Sequence, residues 1–206
     1  MPRLVAFLLA LVLAIGPVLA ASPQLGSIQM IGTTSGGQAC TIFSIHEQRG
    51  YWMTARHCVQ DINDPEATVY SDLVIAGQPA WEVKENQLYD LVLVQSSAQA
   101  KALKLELHPP KIGDETERIG IPHAEGWLHH VWGRISQTRI ARYTPYWQHS
   151  MVIDGLGAPG MSGSPIFSKR GRVISVHQGA RRGMPFESLS VPWDELVKFA
   201  LPYWER

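Results

Sequence analysis

The sequence predicts a mostly-β protein closed by one helix, and three observations carry that prediction. From Ser27 onward, short apolar runs of strand length are cut by glycine, proline and polar turns. A polar stretch from Ser96 to Leu107, ending at Pro109-Pro110, divides these runs into two groups. The closing segment from Pro192 to Leu201 changes period: proline and two acids open it, and Leu196, Val197 and Ala200 share a helical stripe.

The chain opens with a different pattern. Arg3 supplies a charged start, Leu4 to Ile15 an apolar centre, and Val18-Leu19-Ala20 a small-residue cleavage site, so residues 1–20 read as a secretory signal peptide and the mature protein begins at Ala21. Gly16-Pro17 breaks the apolar run too soon for a membrane span, so no stable membrane insertion is expected after cleavage. The expected location is secreted or periplasmic. Without Arg3 the remainder carries 17 basic against 18 acidic side chains. No field of one sign therefore suggests nucleic acid or an anionic membrane as the main partner, and no nucleic acid is expected. About 186 mature residues suit one compact unit, residues 21–206, with no room for an added peptide-binding domain.

The first group of strands is expected near residues 27–32, 39–46, 51–55, 67–70, 72–76, 80–85 and 90–95. Ser96 to Leu107, with its alanines and lysines, has some helical propensity but reads as the connection between the groups. The second group is expected near 115–121, 128–137, 149–153, 165–168, 172–177 and 187–191, and the terminal helix over 192–203. Trp127 and Trp132, which flank His129-His130, are expected in the core. That adjacent histidine pair would face opposite sides of a strand, and the other histidines are scattered, so no metal site and no cofactor is expected.

The chemistry centres on Gly157-Ala158-Pro159-Gly160-Met161-Ser162-Gly163-Ser164-Pro165. Ser162 is the candidate nucleophile. Gly160 and Gly163 can take positive φ, which lets the N–H groups of Gly160 and Ser162 point at one spot, as an oxyanion requires. A serine also needs a base and a group that orients it. The base candidate is His57, in Thr54-Ala55-Arg56-His57-Cys58, and the orienting candidate is Asp90, just ahead of the apolar run Leu91-Val92-Leu93-Val94.

The order His57, Asp90, Ser162 is that of the chymotrypsin-type triad and differs from subtilisin-type and α/β-hydrolase orders. An α/β-hydrolase elbow would also need glycine at position 164, which is Ser164. Thr54-Ala55-Arg56-His57-Cys58 resembles the Thr-Ala-x-His-Cys signature of chymotrypsin-like serine peptidases. Asp90-Leu91-Val92-Leu93 is similar to their Asp-x-Ala-Leu-Leu element, and Gly160-Met161-Ser162-Gly163-Ser164-Pro165 to their Gly-Asp-Ser-Gly-Gly/Ser-Pro motif. The resemblance covers about residues 39 to 200.

This resemblance implies an all-β fold of two perpendicular six-stranded antiparallel β-barrels with a C-terminal helix, about 27–95 forming the first barrel and about 111–191 the second. It implies endopeptidase activity on a polypeptide bound in extended form along Val173-Ile174-Ser175-Val176-His177-Gln178-Gly179, with Ser175, His177, Gly179 and Gly157 as substrate-binding residues. It also implies a Cys40–Cys58 disulfide tying the strand before the histidine to the turn that carries it; two reduced thiols are the alternative. Leu156 stands where trypsin-type members carry an acid, so Lys/Arg preference is not supported. His177 is similar to the histidine with which bacterial glutamyl endopeptidases receive an acidic side chain, although Gly157 stands where that branch has a hydroxyl residue. Met161 replaces the acid before the serine and no Ile/Val-Val/Ile-Gly-Gly start is present, so no zymogen switch of the trypsinogen type is expected. The rival reading is a catalytically silent binding module of the same fold.

Overall fold

The computed structural model describes residues 25–36, 39–60, 69–123, 125–144, 147–181 and 183–205. Among these, the first group of strands comprises β1 (Ile28–Thr33), β2 (Cys40–His46), β3 (Tyr51–Ala55), β4 (Leu73–Ile75), β5 (Gln78–Asn86) and β6 (Leu91–Ser96). They close a barrel in the order β1-β2-β3-β6-β5-β4, with every pairing antiparallel. The second group is β7 (Glu115–Gly120), β8 (His129–Thr144), β9 (Trp147–Asp154), β10 (Pro165–Ser168), β11 (Val173–Arg181) and β12 (Met184–Ser190). These close a second barrel, β10-β11-β12-β9-β8-β7, again antiparallel throughout.

The unbroken apolar run of β6 has a physical reason. Side chains alternate across a strand, and both faces of this one are buried. Val92 and Val94 pack with Ile42 and Trp52 in the first barrel's own core. Leu91 and Leu93 join Phe43 and Met53 in a second cluster that extends to Ile119, Phe167 and Val176 of the other barrel. That shared cluster welds the two barrels together, each fully buried Leu or Phe contributing about 1.5–3 kcal/mol by leaving water.

The helix α1 (Trp193–Ala200) lies on the same cluster through Leu196, Phe199 and Ala200. Asp194 and Glu195 in its first turn accept hydrogen bonds from Arg139 of β8 at 2.6 and 3.3 Å. The helix ends at Ala200 rather than 203, and the chain continues in turns to Trp204, whose indole N–H donates to the Leu103 carbonyl at 2.6 Å. Between the barrels the connection runs extended, with Glu106 N–H donating to Val173 and Val173 N–H to Lys104.

Several expectations need correction. Residues 67 and 68 lie outside the described residues, and Val69 and Tyr70 form no strand; both pack on the first core from an irregular segment. β8 runs to Thr144, and β11 and β12 reach past 177 and before 187. Trp127 and Trp132 are not core residues, being 63% and 62% exposed. The signal-peptide reading of residues 1–20 lies outside the described residues. No helix among the described residues is long and apolar enough to cross a membrane.

Candidate active site

β3 ends at Ala55 and the chain turns through a short 3-10 segment, Arg56–Cys58, that is buried along its length. A disulfide from Cys58 to Cys40, the first residue of β2, fixes this turn with a Cα–Cα distance of 5.7 Å. The reduced-thiol alternative is therefore set aside. A second 3-10 segment, Gln87–Tyr89, delivers Asp90 in the left-handed region at φ 54° and ψ 46°. Aspartate is among the few non-glycine residues that enter this region readily.

The two turns meet. Asp90 Oδ2 lies 2.7 Å from His57 Nδ1, Asp90 Oδ1 accepts the His57 backbone N–H at 2.9 Å, and the Asp90 carbonyl accepts the Arg56 N–H at 3.1 Å. Both side chains are shielded, with His57 9% and Asp90 2% exposed. Burial alone would lower the His57 pKa. The Asp90 charge and hydrogen bond outweigh it and hold the imidazole above its ordinary value.

Ser162 sits on a tight turn in which Gly160 and Gly163 have φ of +90° and +81°. Neither position has room for a side chain: a Cβ on Gly160 would collide with the His123 backbone, and one on Gly163 with the Thr41 carbonyl and the Thr54 hydroxyl. Thr41 of the first barrel clamps the turn, donating its N–H to the Ser162 carbonyl at 2.9 Å and its hydroxyl to the Gly160 carbonyl at 3.0 Å. Because Gly163 abuts Thr54 and Ala55, the serine turn is pressed on the end of β3, just ahead of His57. The N–H groups of Gly160 and Ser162 have no acceptor among the described residues. The Ser162 hydroxyl lies 3.4 Å from the Gln178 carbonyl.

β11 runs directly behind this turn. Gly163 N–H donates to the His177 carbonyl at 2.8 Å, and His177 N–H to the Ser164 carbonyl at 2.9 Å. Pairing of β10 with β11 ends at Val176, which leaves one edge of β11 open from Gln178 onward. His177 is 1% exposed, and a Cβ on Gly157 would stand 3.3 Å from its Nε2. Gly157 and His177 therefore face each other. Gly179 is half-buried on the same strand, whereas Ser175 is fully buried with its hydroxyl donating to the Val191 carbonyl at 2.5 Å.

Two residues of this site escaped the sequence reading. Arg118 of β7 places Nη1 3.0 Å from His177 Nδ1 and is 4% exposed. Gln178 bridges the barrels: its Nε2 donates to the Tyr89 carbonyl at 3.0 Å, and its Oε1 accepts from Ser150 at 2.7 Å. The alternation Glu115, Thr116, Glu117, Arg118 does put Arg118 on the face opposite the two glutamates, the one signal that could have found it.

Residues 40–176 match the family model described as trypsin-like peptidase domain. The chain belongs to that family, and its fold is that of the trypsin-like serine proteases. No curated protein matches it in sequence. Among solved structures it is similar to the Rv3671c protease of M. tuberculosis in its active form, at 17% identity and TM-score 0.73, covering 91% of this chain and 86% of that one. An inactive-form mutant of the same protease gives 18% identity and TM-score 0.71 over 91% and 93%. Deg5 gives 16% identity and TM-score 0.63 over 85% and 87%.

Proposed function

We propose that this protein is a secreted serine endopeptidase in which His57, Asp90 and Ser162 act as the catalytic triad. The observation that carries the reading is the doubly anchored Asp90–His57 pair beside a glycine-framed Ser162 whose turn holds two N–H groups without acceptors among the described residues. Asp90 accepts from Nδ1–H, which leaves Nε2 as the base. His57 Nε2 takes the Ser162 proton as Oγ attacks the scissile carbonyl carbon. The N–H groups of Gly160 and Ser162 hold the oxyanion, each worth on the order of 3 kcal/mol in the transition state. Nε2 then returns the proton to the amine nitrogen as the C–N bond breaks. Water repeats the sequence on the acyl-enzyme, giving its proton to Nε2 and its oxygen to the acyl carbon, and Oγ leaves with the proton.

The substrate is an extended polypeptide that adds as a strand beside the open edge of β11, around Gln178 and Gly179. Its side chain before the scissile bond enters beside Gly157 and His177. Secretion rests on the pattern of residues 1–20, and the Cys40–Cys58 disulfide suits an oxidising compartment. The test is reaction of the purified mature protein with a fluorophosphonate probe and mass mapping of the labelled peptide. Labelling at Ser162 that is absent from Ser162→Ala is the expected result; a folded protein that stays unlabelled and cleaves no peptide overturns the reading in favour of a binding module.

A further inference from the structure

We propose that the connection between the barrels carries a second binding site: a groove in which an extended polypeptide segment of alternating apolar and acidic side chains adds as a strand beside Leu105. The site is separate from the cleft at Ser162 and stands whether or not that serine is a nucleophile.

The connection presents an open strand edge. Glu106 donates its N–H to the Val173 carbonyl at 2.9 Å and the Lys104 carbonyl accepts the Val173 N–H at 2.8 Å, so these two residues turn their main-chain groups towards β11. Alternation along an extended chain turns the N–H and C=O of Leu105 the opposite way. Leu103 uses that same edge: its N–H donates to the Ser44 carbonyl at 2.9 Å, and its carbonyl accepts from the Trp204 indole at 2.6 Å. At Leu105 the pairing stops. Neither its N–H nor its C=O has a partner among the described residues, and the same holds for Leu107. Leu105 is only 7% exposed, and main-chain groups so shielded are nearly always paired in native proteins. An unpaired edge is a template for another strand.

The edge faces a groove of about 590 Å³, within the range of ordinary ligand sites. Leu103, Leu105 and Trp204 floor it and are buried, whereas Leu107 and Leu201 wall it and are 55% and 38% exposed. Lys101, Lys104 and Arg172 stand on its rim, all exposed, and none has an ion-pair partner among the described residues. Of the two acids there, Glu205 is engaged, since its Oε2 accepts the Glu47 N–H at 2.9 Å. Three cations thus face one uncommitted carboxylate, that of Glu47, and the complement of the rim is an anion.

Edge and rim together select the occupant. A lipid anion would satisfy the cations and the apolar walls, but it brings no donor for the Leu105 carbonyl. Pairing of this edge with a second copy of the chain would bring two such sets of cations together. A polypeptide strand supplies both a donor and an acceptor to Leu105 and sends alternate side chains into the groove. Lys104 and Leu105 are successive, so their side chains lie on opposite faces, and the intervening acids of the added strand pass on the Lys104 side. The groove sits at the Val173 end of β11, about 17 Å along the strand from Gln178 at ~3.3 Å per residue. One site can therefore be filled without the other.

The probe is a blocked octapeptide alternating aspartate with leucine, titrated into mature Ser162→Ala so that it is not cleaved, with amide hydrogen exchange followed residue by residue. Binding should be saturable and should slow exchange of the Leu105 amide by at least about tenfold. The same peptide with lysine for aspartate should bind at least about tenfold more weakly, and Lys104→Glu/Arg172→Glu should weaken the aspartate peptide by a similar factor. Slowed exchange at Leu105 supports the proposal whether or not the cleft also takes the peptide. Protection confined to Gln178 and its neighbours overturns it, as does equal binding of the two peptides or undiminished binding to the folded double variant. Laurate is titrated in parallel: if it binds and the peptide does not, the groove is a lipid site and the proposal falls, and it falls equally if neither binds. Both substitutions are at exposed positions; should the double variant still not fold, the exchange pattern and the comparison of the two peptides decide.

Discussion

Asp90 holds His57 twice: Oδ2 lies 2.7 Å from the ring Nδ1 and Oδ1 accepts the backbone N–H at 2.9 Å. One carboxylate therefore sets the position of the residue as well as the tautomer of its ring. A left-handed backbone at Asp90 makes this possible by turning the acid back over the 3-10 segment that carries the histidine.

Replacing that carboxylate should be far more damaging than its size suggests. In Asp90→Asn the amide can donate to Nδ1 and stabilise the wrong tautomer, and kcat/KM should fall by about 10⁴-fold, the scale seen for the corresponding change in the chymotrypsin-type template. The wild-type profile of kcat/KM against pH should rise through a His57 pKa above 6.5, because the base works only when neutral. The variant keeps the burial and loses the charge, so its residual activity should rise at lower pH. An unmoved limb would show that another group sets it.

The two buried histidines give stability opposite slopes with pH. His57 has a raised folded pKa, so its contribution is complete below about 6.5 and is lost as pH climbs through the folded value. His177 has a depressed folded pKa, so its contribution is complete above about 6.5 and is lost as pH falls towards the folded value. Their sum peaks near pH 6.5. Thermal unfolding between about pH 5 and 8.5 should show this maximum, and Asp90→Asn should flatten its alkaline side. A wild-type profile that rises steadily to about pH 8 would contradict the assignment.

The β class was legible because most strands are apolar runs of strand length bounded by turns, and the triad candidates because each lies in a motif local to the chain. Other features were not local. Arg118 and Gln178 are polar residues in strands, and periodicity alone does not say whether a polar face meets water or the inside of a barrel. Here the buried set includes Ser150, Ser175, Ser188 and Ser190, each with its hydroxyl satisfied by the protein, so a polar interior exists where an apolar one is the usual expectation. The far end of β8 was missed for the converse reason. It continues as a hairpin with β9 in which Thr138 and Arg139 are exposed, and no apolar periodicity marks it.

Gln178 is predicted to act as a positioning residue. Its amide ties Ser150 of the second barrel to the Tyr89 carbonyl, one residue before Asp90. Gln178→Leu strands both partners, which should cost about 1–3 kcal/mol of stability in denaturant titration. The loosened Asp90 turn should also lower kcat/KM by about 10- to 100-fold and move the His57 limb to lower pH. Lost stability with an unchanged pH profile would reduce the residue to a packing role.

Glycine matters at position 163 for a reason that a second glycine isolates. Gly163 and Gly126 have similar φ, +81° and +73°, but only at Gly163 does a Cβ meet backbone and side-chain atoms. Gly126→Ala should cost only the left-handed backbone penalty, about 1–2 kcal/mol. Gly163→Ala adds the collision with the Thr41 carbonyl and should abolish phosphonate labelling at Ser162. Equal behaviour of the two variants in unfolding and labelling would show that the Thr41 contact is not a constraint.

Arg118 should be a residue that the resting protein is more stable without. The charge is buried, two of its nitrogens have no partner among the described residues, and burial draws its pKa down to about 10. Arg118→Met keeps a long flexible side chain and removes the charge. His177 loses a donor at Nδ1 but also loses the neighbour that lowered its pKa, and the Leu189 carbonyl remains available to a ring proton. Replacing buried charge by a hydrophobic side chain of similar length is often stabilising, so the melting temperature should rise by a few degrees. A lower melting temperature in Arg118→Met would show that the guanidinium is satisfied in the resting fold.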